Sequence, residues 1–258
     1  MGSILNDSGD ALPLVELVEY LVAEYYPDYG PLWRSSWPPA LEDLARKAFG
    51  AHMARYVEGP WGWKLCETGY ILPVIDALFP DARYIHLIRD GRDVAFCDHV
   101  APQTDFWKKI YFNTDRLTAW RGRPLSHSAY SAASHVYNAR HWVNSVEVGR
   151  AYGAMLRGRY LEIRYEDLCV DFIATMRKAL AFASVAPNED ALSALRSAVA
   201  TTSIGKFRRA PKRRRRDVMA EIEPTLLALG YAEPSTPSAA TRLRGLAAHA
   251  RWRLRAGR

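Results

Sequence analysis

At 258 residues the chain is long enough to bury a sizeable core as one α/β domain or two small ones, and 49% hydrophobic with 24% charged residues excludes disorder throughout. A net charge of +7 points to anionic partners, yet Arg242, Arg244, Arg251, Arg253, Arg255 and Arg258 fall in an acid-free C-terminal stretch, so most of the surplus belongs to a tail. Cys66, Cys97 and Cys169 show neither metal-like spacing nor a disulfide framework, which fits a reducing cytoplasm, and no segment reaches the ~20 apolar residues of a membrane span or the pattern of a secretory signal.

Leu14, Leu17, Val18, Leu21 and Val22 recur at helical spacing after Asp10 and Pro13, and a second helix is predicted over 39–56, with Leu41, Leu44, Ala48 and His52 on one face. GWKLC (62–66) reads as extended and leads through a helical region to the stop Phe79-Pro80-Asp81. The clearest strand is RYIHLI (83–88), whose nearly continuous apolar character suits a parallel central strand covered on both faces by helices. Residues 101–128 are aromatic and basic without clear period, suiting a substrate-facing lid. A long helix over 130–155 is followed by the strand YLEIRY (160–165), then by helices over 171–183, 189–199 and 217–229, the last stopped by Gly230. PKRRRR (211–216) reads as a solvated loop, and 234–258 as a basic tail, disordered or a short amphipathic helix capable of weak contact with an acidic membrane surface. Strands alternating with helices give an α/β fold with a parallel sheet.

The segment YIHLIRDGRDVAFC (84–97) delivers Arg89 and Arg92 from a buried strand to a turn ahead of a helix, a place that offers guanidinium forks to a phosphate at the carboxyl end of the sheet. Two readings stand side by side: an anion site, or arginine and aspartate of RDGRD pairing with each other around a tight turn. His86, inside the strand, reads as a core histidine.

Here the sequence resembles the sulfotransferases that use 3'-phosphoadenosine-5'-phosphosulfate (PAPS), whose bacterial members carry FIHLVRDGRDVA. The resemblance implies Arg89 as ligand of the 3'-phosphate and places Cys97, a weaker donor, where the family usually has serine. RYLEIRYEDL (159–168) is similar to the family strand ending in YEDL and gives Tyr165 a place on the adenine side, with Glu166 and Asp167 capping and bracing the following helix. WGWKLCET (61–68) looks like WGWKxPET, which implies Lys64 as charge stabiliser near the transferred group. It also offers Glu67 as general base, weighed evenly against a salt-bridge partner of Lys64. TSIGKFRR (202–209) is similar to the segment that closes over the nucleotide, with Phe207 in place of tryptophan and Lys206 and Arg208 substituting for an absent upstream basic pair.

The resemblance covers residues 1 to about 233 and implies a P-loop-like parallel sheet flanked by helices, with the first strand and its 5'-phosphosulfate loop missing. MGSILNDSGDALP looks like the stretch that normally lies just downstream of that loop, so the expectation is a late-called start or a truncated homologue. Implied is sulfuryl transfer from PAPS to a hydroxyl or amine of a small-molecule, glycan or lipid acceptor, without a metal. Two alternatives are a catalytically inactive nucleotide- or partner-binding remnant and a basic nucleic-acid-binding protein, the latter lacking any recognised nucleic-acid module.

Overall fold

A computed structural model describes residues 4–5, 12–26, 29, 37–53, 60–97, 134–197, 199, 202 and 204–231. The predicted lid at 101–128, the basic tail at 234–258 and the end of the second helix beyond residue 53 lie outside the described residues. Two compact units divide the chain: Met1–Pro80 with Gln103–His127, and Asp81–Pro102 with Ser128–Arg258.

In the first unit, β1 (Ile4–Leu5) pairs in parallel with β2 (Gly62–Trp63). Helix α1 (Leu12–Tyr25) buries Leu14, Leu17, Val18, Leu21 and Val22, the residues whose spacing predicted it, and packs on α2 (Pro39–Met53) through Leu41, Ala48 and Phe49. GWKLC is extended only at Gly62–Trp63, because a 3-10 helix (Cys66–Ile71) begins directly after Lys64 and Leu65 and runs into α3 (Leu72–Leu78). That turn is held down from both sides. Tyr29 Oη donates to the Tyr70 carbonyl at 2.9 Å, and the Trp63 indole donates to Thr68 Oγ1 at 2.9 Å, while Trp61, Trp63, Phe49 and Phe79 cluster ring to ring.

The second unit is built on β3 (Tyr84–Ile88) and β4 (Tyr160–Arg164), parallel and in register from Tyr84↔Tyr160 to Ile88↔Arg164. Helix α4 (Gly91–Ala95) follows β3, and α5 (Ser134–Gly153) leads back towards β4. Beyond β4 come α6 (Tyr165–Val170), α7 (Phe172–Phe182), α8 (Glu189–Arg196) and α9 (Lys212–Ala228). Ile88, Ala95, Ala139, Trp142, Val143, Val146, Val218, Ile222 and Leu226 form one core between β3, α4, α5 and α9. Helix α5 carries the buried side of β3 closely: a methyl at Gly149 would lie 2.7 Å from the His86 ring.

Two expectations are corrected here. Strand β3 alternates instead of being covered on both faces, with Ile85 37% and Leu87 52% exposed while Ile88 is buried. Lys212–Arg216 is not a loop; it is the start of α9, because lysine and arginine are good helix formers and Val218, Ile222 and Leu226, at i, i+4 and i+8, anchor the same helix in the core. His86 is the core histidine expected: its Nδ1 lies 2.7 Å from Tyr160 Oη, which donates to Glu162, and burial pushes its pKa down to about 4.

Candidate functional site

The register of β3 and β4 decides what stands at their carboxyl ends. Ile88 pairs with Arg164, so the next residues, Arg89 and Tyr165, come side by side, and the Arg89 guanidinium lies over the Tyr165 ring, 5.2 Å from its centroid. The Arg89 carbonyl accepts the Trp142 indole N–H at 2.9 Å, and Arg89 Nη2 is 3.9 Å from Asp93 Oδ2; the Arg89 side chain keeps 21% of its surface exposed, against 2% for Asp93. Burial, together with a hydrogen bond to Cys169, pushes the Tyr165 phenol up, and the adjacent Arg89 charge opposes that rise.

Both arginines of RDGRD meet a carboxylate of the same segment, Arg92 closely at Asp90 and Arg89 loosely at Asp93. Arg92 is tied to Asp90: Nε donates to both carboxylate oxygens at 2.9 and 3.0 Å and Nη2 to Oδ2 at 2.6 Å, while Nη2 also reaches the Tyr231 carbonyl at 3.1 Å. Asp90 caps α4 as well, accepting Arg92 N–H at 2.9 Å, and this pairing holds the Arg92 guanidinium above its ordinary pKa. The pairing reading therefore holds tightly for Arg92, while Arg89 lies 3.9 Å from Asp93 with 21% of its side chain exposed. Gly91 serves close approach rather than a turn, since a methyl there would lie 2.5 Å from the Trp142 ring.

Glu166 stands in the first turn of α6 as expected, and its carboxylate also reaches beyond that helix. It accepts the Asp90 N–H at 3.0 Å and the Tyr231 hydroxyl at 2.9 Å, so it locks the turn after β3 to the chain beyond α9. Burial and this carboxylate push the Tyr231 phenol up. Asp93 was missed by sequence reasoning and links the predicted segment at 202–209 to the site, accepting Gly205 N–H at 2.6 Å and Phe207 N–H at 3.0 Å. Gly205 has φ 74°, the left-handed conformation that glycine adopts at no steric cost, and Lys206–Arg209 follows as a single 3-10 turn. Phe207 carries Arg92 over its ring at 4.7 Å and Arg208 at 5.9 Å; Lys206 is half-buried and Arg208 exposed. The remaining nucleotide candidate, Cys97, is a half-buried free thiol just beyond α4, and its carbonyl accepts Asn138 Nδ2 at 3.3 Å.

Lys64 and Glu67 belong to the other unit. Lys64 is exposed just after β2, and Glu67 is half-buried in the first turn of the 3-10 helix, three positions on, bracketed by the Trp63–Thr68 hydrogen bond. Among the described residues, no His, Cys, Asp and Glu side chains gather as a metal site, and no helix is long and apolar enough to cross a membrane.

Parallel strands that gather an arginine, an aromatic ring and a tethered basic turn at their carboxyl ends define an α/β protein, and such strand ends are where open α/β sheets hold ligands. A family model described as the sulfotransferase family matches residues 35–190, more than half of the chain, and the chain belongs to that family. The match takes in Lys64, Glu67, Arg89, Cys97 and Tyr165 and stops short of Lys206–Arg208. No curated protein matches the chain.

Proposed function

We propose that the chain moves a sulfuryl group from PAPS to a hydroxyl or amine on a small-molecule, glycan or lipid acceptor, on a P-loop-like sulfotransferase fold with residues 1–233 as the domain. One observation carries this reading: Arg89, Tyr165 and the Gly205–Arg208 turn, far apart in the chain and each separately similar to a nucleotide contact of the family, converge on one end of β3 and β4. The donor set suits the nucleotide, since an arginine side chain 21% exposed matches a phosphate monoester and an adjacent phenol ring matches a purine.

PAPS supplies the activated sulfuryl group. Arg89 holds the 3'-phosphate, Tyr165 packs on the adenine side, and Lys206, Phe207 and Arg208 close over the nucleotide, with the Cys97 thiol as a second, weaker phosphate donor. Sulfuryl transfer, like phosphoryl transfer, consists largely of positioning an in-line attack and neutralising developing charge. In this scheme Glu67 takes the proton of the acceptor hydroxyl and Lys64 stabilises charge beside the transferred group. Three free cysteines suit work in a reducing compartment such as the cytoplasm. Nucleic acid has no part in this scheme.

Calorimetric titration with adenosine 3',5'-bisphosphate tests the reading. Arg89→Ala removes binding and keeps the fold; an unchanged affinity in that variant overturns the assignment. In a transfer assay Glu67→Gln lowers turnover and leaves nucleotide affinity unaltered. Nucleotide binding without any transfer by the unmodified chain would mark it as a non-catalytic member of the family.

A further inference from the structure

A cleft of about 230 Å³ opens between α4, the turn at Phe207 and the first two turns of α9. Lys212, Arg215 and Arg216 line it at i, i+3 and i+4 of α9, facing Arg92 with Phe96 and Phe207. Val218 and Met219 add apolar lining. Among the described residues no carboxylate forms part of the wall, and neither Arg89 nor Tyr165 does.

The charges on α9 are placed where a helix tolerates them least. Five consecutive cations, Lys212–Arg216, occupy the amino-terminal end, where the helix dipole is positive and where no acidic residue stands in the first turn. Like charges at i, i+3 and i+4 add further repulsion. Local rules broken in this way and retained in a folded helix are a mark of functional sites. A second observation points the same way: Arg215 Nε is buried and has no hydrogen-bond partner among the described residues, and its side chain lines the cleft. Arg92 is neutralised by Asp90, which leaves Lys212, Arg215 and Arg216 as the cations of the wall without a carboxylate in it.

We propose that this cleft is a second anion site, not lined by Arg89 although it shares Phe207 with the turn placed over the nucleotide, which binds an organic phosphate or sulfate monoester. Lys212, Arg215 and Arg216 grip the oxyanion, and Phe96, Phe207, Val218 and Met219 receive the apolar or ring-shaped body. An inorganic anion satisfies only the charged half of this wall; the ester satisfies both. Phe207, held by Asp93, forms a fixed side of the cleft.

Phenyl phosphate and inorganic phosphate are the probes, titrated calorimetrically at constant ionic strength into the full chain, into Arg215→Gln/Arg216→Gln and into Arg89→Ala. Phenyl phosphate is expected to bind roughly tenfold more tightly than inorganic phosphate, as burial of a ring edge against apolar side chains requires. The double variant loses that binding and keeps its affinity for adenosine 3',5'-bisphosphate, whereas Arg89→Ala keeps phenyl phosphate and loses the nucleotide. Glutamine is a good helix former and removes repulsion, so the double variant melts no lower than the parent, and Lys212→Gln gives an independent weakening of phenyl phosphate. Equal affinity for the two probes, no binding of either, or binding that survives in the double variant overturns the proposal. Loss of phenyl phosphate in Arg89→Ala also overturns it, by merging the cleft with the nucleotide site; loss of the nucleotide alone in that variant bears only on the proposed activity.

Discussion

Asp93 on α4 accepts the backbone N–H groups of Gly205 and Phe207, at 2.6 and 3.0 Å, across 112 and 114 residues of sequence. Asp93 is buried, and the Arg89 guanidinium lies 3.9 Å from its carboxylate. A buried charge of this kind is tolerable only while its hydrogen bonds are made, so one side chain both positions the basic turn and biases the arginine beside it.

Asp93→Asn turns one acceptor oxygen into a donor that faces a backbone N–H. The expected loss is roughly 2–4 kcal/mol of stability. Nucleotide affinity falls as well, because Phe207 and Lys206 are released. Urea unfolding and calorimetry on the same sample check both effects; a variant with full nucleotide affinity would remove Asp93 from the site.

Gly91→Ala places a methyl 2.5 Å from the ring of Trp142, which is buried and fixed by its hydrogen bond to the Arg89 carbonyl. Overpacking at so rigid a contact costs about 1–3 kcal/mol. The displaced indole also disturbs Arg89, so the midpoint of denaturation and the dissociation constant for adenosine 3',5'-bisphosphate should worsen together.

Tyr165→Phe keeps the ring beneath Arg89 and should leave nucleotide affinity within about twofold. Tyr165→Ala removes the face and should weaken binding by about fivefold, corresponding to a cation–π contact of ~1 kcal/mol. Equal behaviour of the two variants would remove the ring from the account.

His86 and His141 are both pushed down to about 4 by burial, against an ordinary value of 6.5. The unfolded chain therefore takes up protons between pH 6.5 and 4 that the folded chain refuses, and stability falls as pH drops through that window, by on the order of 3 kcal/mol for each histidine. Above 6.5 both are neutral in either state and contribute no slope. Urea unfolding at pH 7.0, 5.5 and 4.5 should show this loss, and His86→Asn should remove about half of it, leaving the part due to His141.

Much of this arrangement is legible in the chain. The apolar stripe Leu14, Leu17, Val18, Leu21 and Val22 specifies α1 and its buried face, and YIHLI followed by an Asp-Gly turn specifies a strand handing an arginine to a helix. What stayed hidden is long-range pairing. RDGRD alone does not say which arginine Asp90 will take, since that depends on Tyr231 and Phe207 arriving from the other end of the chain to hold Arg92. Glu166 looked like an ordinary first-turn carboxylate and also reaches Asp90. The Lys212–Arg216 run read as solvated because charge density is visible in a sequence and the downstream core anchors of the same helix are not weighed with it. The Lys64 and Glu67 assignments rest on the resemblance and the scheme built on it.

The pairing of Ile88 with Arg164 works as a ruler. A single residue inserted inside either strand would turn the tyrosine to the opposite side of the sheet and uncouple it from the arginine in one step.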